Sequence, residues 1–442
     1  MEDIAGFPFF PVRYDKTGAA HVESEVASLL AFLGKGTTTD LILMSHGWNN
    51  DINEAMNLYH RLLTSIRTEL TENATLAARK FAVVGILWPS KKFADTSLIA
   101  GGAASGDSRA DFVLKAQLDL LKDGFDHPDA NQLLDRAKEL VDRLQSSPKA
   151  QREFVDLLRS LVPRHEKQAD VDGADSFFTE DGDALMGRLS RPVPNPLSRR
   201  HADEGGAAST NMEGGAAGLF DSLGGIKDAA LNLLNYTTYY QMKERAGLVG
   251  RDGVNALLCR VRSLHPDLKL HLIGHSFGGR VVTAAAAGKD EDPTQSVADT
   301  MTLLQAAFSH NGFAHRFDGD RDGFFRGLVE KGKVKGPLLV TCTSNDQAVG
   351  KLYPLASMFA GQDASAVGGP ASRFGGIGCN GAQHTPEAVE GILLDSRVPY
   401  EGERALRSRA IHNLNSDAFI SDHSDVCGRE VAHAVLAAIE TT

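Results

Sequence analysis

In the first part of the chain, continuous apolar runs alternate with segments whose apolar residues have helical spacing. The segment "DLILMSHGWNN" (40–50) is an apolar run that ends in Gly and Asn, as a buried parallel strand ends. Residues 51–70 carry apolar side chains at helical spacing, and "KFAVVGILWPS" (80–90) predicts a second buried strand. A strand, a helix and a strand of these lengths form a βαβ unit and predict a parallel sheet. Three residues are available to cap the helix: Asn49, Asn50 and Asp51.

The same alternation returns near residue 236 and continues to the last residues. It predicts a helix over 239–266, a strand and a helix within "LKLHLIGHSFGGRVVTAAAAG" (268–288), and a closing helix over 424–440. Further apolar runs predict strands at 300–309, 336–346 and 407–416. The pattern predicts one α/β domain with a mostly parallel sheet flanked by helices.

A long insertion separates the two parts of this predicted core. It contains helical, charge-rich stretches such as "ANQLLDRAKELVDRLQ" and no convincing buried strand. Residues 191–218 are rich in Pro, Gly, Ser and Ala, a composition that predicts disorder. The apolar stripe of 219–236 fits either a mobile amphipathic lid or a helix packed on the core. We therefore expect a core of 1–90 and 236–442, and a mostly helical cap, 91–235, that forms one wall of a substrate pocket.

Composition and charge exclude several classes of protein. Lys and Arg number 46 against 57 Asp and Glu, and the resulting net charge of −11 argues against nucleic acid as a partner. Four cysteines lack metal-ligand spacing, so reduced thiols are expected instead of a disulfide framework. The start "MEDIAGFPFF" lacks the basic residues of a signal peptide, and no long apolar run follows. These features predict a cytoplasmic protein without stable membrane insertion; they leave its oligomeric state open.

A serine lies at the junction of the strand and the helix within 268–288. Ser276 is the centre of "GHSFG", which matches G-x-S-x-G in the strand–turn–helix context of a nucleophile elbow. Gly274 and Gly278 leave room for the neighbouring strand and helix at so sharp a turn. The backbone N–H of Phe277 then points to the place where an oxyanion would form. Without its context the same pattern fits an inert glycine-rich turn.

A nucleophile elbow needs an acid and a histidine, in the chain order Ser, acid, His. Asp346, in "PLLVTCTSNDQ", follows a predicted strand, where it can orient a histidine, cap a helix, or do both. His423 lies between the last predicted strand and the closing helix. Three histidines lie in less suitable positions: His384, His412 and His433. Two carboxylates beside His423 are expected to belong to the helix start: Asp422 and Asp425.

A second oxyanion donor is expected from the loop that follows an early strand. The loop "MSHGWNN" supplies the backbone N–H of Trp48 for this role, and Gly47 allows the close approach. His46 is then expected to support the loop and not to act as a second base.

These motifs resemble those of the α/β-hydrolase superfamily, with "HGW", "GHSFGG", "SND" and "HSD" in that order. More narrowly, the chain is similar to uncharacterised bacterial serine-hydrolase (esterase/lipase-like) proteins in "MKERAGLVG", "LLQAAFSHNGF" and "NLNSDAFISDHSDV". The resemblance covers about 1–90 and 236–442. It implies an α/β-hydrolase fold and a triad of Ser276, Asp346 and His423, but no particular substrate.

The motifs and the resemblance together predict a serine hydrolase that cleaves a carboxylic ester, such as a small-molecule or lipid acyl ester, through an acyl-enzyme. Two alternatives stay open: a phospholipase or toxin-type lipase, and a catalytically silent α/β-hydrolase scaffold that binds a partner. This chemistry needs no metal and no cofactor. Residues 318–330 begin like a calcium loop, but Val329 replaces the glutamate of the twelfth position, which favours an acidic turn. The glycine-rich segment 374–383 is expected to be a loop that approaches the active site.

Overall fold

The computed structural model describes residues 1–90, 107–122, 124–162, 174–190, 225–289, 298–317, 319–346, 348–349 and 374–442. The chain forms two compact units: Met1–Ser90 with Lys243–Val349 and Gly376–Thr442, and Lys91–Met242 with Gly350–Gly375. The stretch 191–218, for which the composition predicts disorder, lies outside the described residues.

The first unit contains all of the strands found in the described residues. In chain order, the strands are β1 Glu2–Ile4, β2 Phe7–Arg13, β3 Asp40–Ser45, β4 Phe81–Leu87, β5 Lys269–His275, β6 Thr300–Leu304, β7 Leu338–Cys342, β8 Ala388–Ile392 and β9 Ile411–Asn415. They form one sheet in the order β1-β2-β4-β3-β5-β6-β7-β9-β8. Only β1 and β2 pair antiparallel, and every other neighbouring pair is parallel. The predicted α/β class with a mostly parallel sheet is confirmed.

Helices occur in both units. In chain order they are α1 Glu23–Leu33, α2 Ile52–Glu72, α3 Asp107–Leu120, α4 Ala130–Leu140, α5 Pro148–Ser160, α6 Ala174–Thr179, α7 Gly182–Leu189, α8 Ile226–Leu248, α9 Asn255–Leu264, α10 Phe277–Ala287, α11 Arg326–Glu330, α12 Ile377–Asn380 and α13 Arg429–Glu440. The described part of the second unit is helical. No helix among the described residues combines the length and the apolar character needed to cross a membrane.

The sheet carries apolar side chains on both of its faces. On one face, Ile42 and Val83 belong to a buried cluster with Tyr59 of α2. On the other face, Phe10 of β2 packs against Phe32 of α1, with ring centroids 5.2 Å apart. Strands that are buried on both faces lose the polar–apolar alternation of half-exposed strands, which explains why β3 and β4 appear as continuous apolar runs in the sequence.

Two helices that the sequence pattern separates are continuous in the structure. The described part of 219–236, which starts at residue 225, and the predicted helix over 239–266 correspond to α8, a π-helical turn at Val249–Val254, and α9. The turn packs against α10 at Gly250, where an added Cβ would lie 2.3 Å from the carbonyl oxygen of Val281. Most residues of α8 are buried, the others are partly buried, and none is exposed. This burial is typical of a packed helix rather than of an amphipathic helix with one solvated face.

A buried carboxylate lies at the beginning of β3. Asp40 is fully buried and accepts hydrogen bonds from Nε2 of His271 at 2.9 Å and Nε of Arg79 at 2.9 Å. The other imidazole nitrogen of His271 contacts Oγ1 of Thr300 at 2.9 Å. Burial alone would raise the pKa of Asp40, but the hydrogen bonds from His271, Arg79 and Thr39 outweigh burial and lower the pKa to about 2.

Replacement of this carboxylate should make the free energy of unfolding less dependent on pH. Because the pKa of Asp40 is lower in the folded than in the unfolded state, its charge stabilises the fold above about pH 4 and loses that effect as the pH falls through about 2. We expect Asp40→Asn to lose about 3 kcal/mol at neutral pH, measured by urea unfolding. The deficit should shrink on acidification, by on the order of 2 kcal/mol. A deficit that stays constant between about pH 5 and pH 2 would contradict this account.

Candidate active site

Ser276 adopts a backbone conformation that side-chain-bearing residues rarely adopt. It follows β5 directly and precedes α10, with φ +56° and ψ −125°. Its N–H donates to the carbonyl oxygen of Leu304 at 3.0 Å, and its own carbonyl oxygen accepts from the N–H of Ala307 at 3.0 Å. Such a conformation costs on the order of 1–3 kcal/mol and persists only where the surrounding structure imposes it. The neighbouring strand β6 and the loop after it impose it here.

The backbone around Ser276 is packed too closely for side chains at three glycines. An added Cβ at Gly278 would lie 2.1 Å from the carbonyl oxygen of Ser45, and one at Gly274 would lie 2.4 Å from that of Gly278. An added Cβ at Gly47 would lie 2.6 Å from Cβ of Ser276. The loop after β3 and the turn after β5 are therefore held in direct contact.

Three side chains from separate loops form one hydrogen-bonded chain. Nε2 of His423 lies 2.9 Å from Oγ of Ser276, and Nδ1 of His423 lies 2.8 Å from Oδ2 of Asp346. Asp346 is fully buried, and its other oxygen accepts the N–H of Val349 at 2.9 Å. The carboxylate therefore contacts the imidazole and caps the following turn at the same time.

The parallel sheet explains how these residues meet. The three side chains follow strands β5, β7 and β9, whose carboxyl ends lie at the same edge of the sheet. His423 lies in the loop between β9 and α13. The parallel sheet thus brings residues that are distant in the chain to one edge.

The protonation of His423 depends on its carboxylate partner. Burial by itself would lower the pKa of the imidazole, but the charge of Asp346 and the hydrogen bond to it outweigh burial and raise the pKa above its usual value. A histidine in this state accepts a proton from a hydroxyl group and keeps the resulting charge next to a carboxylate. The arrangement can therefore activate Ser276 as a nucleophile.

The loop after β3 lies beside the serine. The ring of Trp48 contacts the ring of Phe277 edge-on, with centroids 5.8 Å apart. Nδ1 of His46 lies 2.9 Å from the carbonyl oxygen of Gly47, and its Nε2 lies 3.3 Å from the backbone nitrogen of Trp88. Burial lowers the pKa of His46 to about 4, and both ring nitrogens are engaged with backbone. The structure thus places His46 as a support of this loop, and the oxyanion role of Trp48 and Phe277 stays a prediction.

The competing histidines are engaged elsewhere. Nδ1 of His384 contacts Oδ1 of Asn311 at 2.8 Å, Nε2 of His412 accepts from the N–H of Arg407 at 2.8 Å, and Nε2 of His433 contacts the carbonyl oxygen of Val398 at 2.9 Å. His412 lies within β9 and His433 within α13, as the sequence pattern predicts.

The prediction that Asp422 and Asp425 begin the closing helix is wrong. The helix α13 begins only at Arg429, after Gly428. Asp422 accepts the N–H of Ser424 at 2.7 Å, and Asp425 accepts from the N–H and the hydroxyl group of Ser421. Both carboxylates therefore stabilise the turn that carries His423.

Two residues that sequence analysis did not select hold the loop of His423. Nε2 of His275 lies 2.8 Å from the carbonyl oxygen of His423. The side-chain amide of Asn345 donates to the carbonyl oxygen of Asp417 at 3.2 Å and to that of Ile420 at 2.8 Å. The one available signal was position, because these residues directly precede Ser276 and Asp346 in the sequence.

The glycine-rich segment 374–383 lies beside the acid. It contains the short helix α12, where sequence analysis expected a loop, and the N–H of Gly378 donates to the carbonyl oxygen of Ala306 at 3.1 Å. The thiol of Cys379 donates to the carbonyl oxygen of Asp346 at 3.4 Å. The segment therefore contacts the loop that carries the acid.

Potential metal ligands lie together at the surface, two of them in the segment 318–330 and one just before it. Asp318 lies outside the described residues, and ligand atoms of His315, Asp322 and Glu330 lie within 4.8 Å of one another. Asp322 also accepts the N–H of Arg316, and Glu330 forms an ion pair with Arg326. Two of the three groups are thus already engaged: Asp322 by the backbone N–H of Arg316, and Glu330 by the guanidinium group of Arg326.

The site combines the three groups of a hydrogen-bonded chain with a tight backbone turn. Its described residues place a hydroxyl group, an imidazole and a carboxylate in line, in a turn that glycines allow. Comparison with protein-family models, curated proteins and solved structures finds no match to this chain.

Proposed function

We propose that the protein is a serine hydrolase with an α/β-hydrolase fold and that it cleaves carboxylic esters of small molecules or lipids. The observation that carries the proposal is the hydrogen-bonded chain from Ser276 through His423 to Asp346. Further support comes from the conformation of Ser276, which projects from a sharp turn between a strand and a helix. The order Ser, Asp, His along the chain is the order of this superfamily.

In the proposed reaction, the hydroxyl oxygen of Ser276 attacks the ester carbonyl while Nε2 of His423 takes its proton. Asp346 holds the Nδ1–H tautomer of His423 and stabilises the imidazolium. The backbone N–H groups of Trp48 and Phe277 stabilise the oxyanion of the tetrahedral intermediate. The imidazolium then gives its proton to the departing alcohol, which leaves an acyl-enzyme. Water, deprotonated by His423, releases the acid and restores the hydroxyl group.

Short aryl esters provide the first test of this function. Wild-type protein should release an initial burst of phenolate close to one equivalent per chain if deacylation is slower than acylation, followed by steady turnover. Release of fatty acid from phospholipid vesicles, measured in parallel, separates a phospholipase from a general esterase. A folded wild-type protein that hydrolyses neither substrate would contradict the proposal and favour a silent scaffold.

The close approach of Gly47 to the nucleophile provides an independent prediction. In Gly47→Ala the new Cβ would meet Cβ of Ser276 at 2.6 Å and Oγ at 3.1 Å, so the hydroxyl group must move. We expect the rate of ester hydrolysis to fall by about 100-fold, because small misplacements of reacting groups have effects of this size. Gly187→Ala is the matched control, because a Cβ at this helical position meets nothing within 4 Å. Equal activities of the two variants would contradict the proposed geometry.

A further inference from the structure

The residue before the nucleophile contacts the residue that activates it. His275 is the last residue of β5 and only 7% exposed. Its Nε2 lies 2.8 Å from the backbone carbonyl oxygen of His423, and the two imidazole rings lie 5.0 Å apart. Ser276, the next residue, contacts the side chain of the same histidine at 2.9 Å. Two consecutive residues thus contact His423: His275 contacts its backbone, and Ser276 contacts its ring.

The surroundings of His275 define its protonation state. Burial lowers its pKa, and the nearby positive charge of a protonated His423 lowers it further, to about 3. His46 is the other titratable group that acts on it, in the same direction. A neutral imidazole has one N–H group, and a carbonyl oxygen only accepts, so the contact with His423 requires the proton on Nε2 of His275. This hydrogen bond is therefore present throughout the neutral pH range.

We propose that His275 is a positioning residue for His423. Its N–H fixes the backbone of the histidine loop to the strand that carries the nucleophile, and this keeps the imidazole in line between Ser276 and Asp346. The side-chain amide of Asn345 holds the same loop at a second point, through the carbonyl oxygen of Ile420. Because His275 stays uncharged, it adds no repulsion when His423 becomes an imidazolium. This inference rests on the proposed hydrolase function.

Two substitutions separate positioning from bulk packing. In His275→Gln the side-chain amide N–H takes the place of Nε2–H, whereas His275→Leu keeps a similar volume without a donor. We expect His275→Leu to lower kcat for ester hydrolysis by 10- to 100-fold with little change in KM, since a misplaced base affects the transition state most. His275→Gln should keep kcat within about fivefold of the wild type, with a loss of Tm similar to that of His275→Leu.

The comparison is decided by whether the side-chain amide of His275→Gln preserves the kcat that His275→Leu loses. Equal losses of kcat in the two variants, or a wild-type kcat in His275→Leu, would overturn the proposal. If His275→Leu does not fold, His275→Asn replaces it, because its shorter amide has the same polarity and does not reach the carbonyl oxygen of His423.

The titration of His423 gives a second measurement that does not depend on activity. With ¹⁵N-labelled histidine, NMR should give His423 a pKa above the ordinary value in wild type and in His275→Gln, because Asp346 raises it. In His275→Leu the ring of His423 is held less firmly beside Asp346, so its pKa should be lower. An identical His423 titration in all three proteins would overturn the positioning role. If the wild type titrates as expected but hydrolyses no ester, the proposed function fails while the positioning role is still decided by this titration.

Discussion

Ser276→Ala is expected to reduce kcat/KM for ester hydrolysis by at least about four orders of magnitude. The alanine variant keeps the fold but has no oxygen at the position from which His423 takes a proton. Loss of any member of such a triad removes nearly all of the joint effect, because the members act as a unit. Hydrolysis of a short aryl ester by purified variants measures the change.

Stability distinguishes loss of the nucleophile from loss of the fold. Ser276→Ala should keep a Tm close to that of the wild type, because the side chain is small and the backbone is unchanged. Ser276→Gly should be equally inactive but more stable, since glycine adopts φ +56° without the strain of a side chain. Ser424→Ala, an exposed serine one residue after His423, is the matched control and should keep full activity. Substantial hydrolysis by Ser276→Ala would contradict the assignment of the nucleophile.

The second large effect is expected in Asp346→Asn, where kcat should fall about 10⁴-fold with little change in KM. The asparagine is nearly isosteric, but its amide can donate to Nδ1 of His423 and so favour the tautomer that cannot take the proton of Ser276. The pH profile should change as well. In the wild type, activity rises as His423 loses its proton, at a pKa above the ordinary value. Without the charge of Asp346, burial dominates, so the residual activity of the variant should extend to lower pH.

The neighbouring carboxylates provide the controls for this prediction. Asp422 and Asp425 flank His423 in the sequence, but they bond to Ser424 and Ser421 in the turn. Asp422→Asn and Asp425→Asn should therefore keep kcat within a few-fold of the wild type. A severe loss in either variant, together with a mild loss in Asp346→Asn, would show that another acid orients the histidine.

Part of this architecture could be predicted because local patterns agree with the fold. In the sequence, β3 and β4 are uninterrupted apolar runs, and the segment of α2 between them has apolar residues at helical spacing. Of the three candidate caps, Asp51 accepts the N–H of Glu54 and forms a capping box. Ser276 could be located from a short motif because strand, turn and helix are contiguous there.

Other strands were missed for identifiable physical reasons. The strand β2 contains Pro8 and Pro11, which argue against a strand inside a sheet, yet it pairs with both β1 and β4. The strand β8 lies at the edge of the sheet and is mostly exposed, so it lacks an apolar run.

One predicted strand is shorter than expected. The predicted strand 300–309 ends early, at Leu304, because Gln305 takes a positive φ of 45° and the chain turns around Ser276.

The contacts that hold the histidine loop could not be derived from the sequence. The hydrogen bond from His275 spans 148 positions and depends on the register between β5 and the loop after β9. The contact between Asn345 and Ile420 depends in the same way on the pairing of β7 with β9. Local patterns predict which residues end a strand, but they do not give the distance between the ends of two strands.

Covalent labelling tests the central claim most directly, namely that Ser276 is a nucleophile activated by His423. Purified wild-type protein is treated with a fluorophosphonate, and the modified residue is identified by intact mass and by peptide mass spectrometry. The account predicts one adduct per chain, on Ser276, which forms fast in the wild type, slowly in Asp346→Asn and not at all in Ser276→Ala. A folded wild-type protein that forms no adduct, or an adduct on another residue that persists in Ser276→Ala, would contradict it.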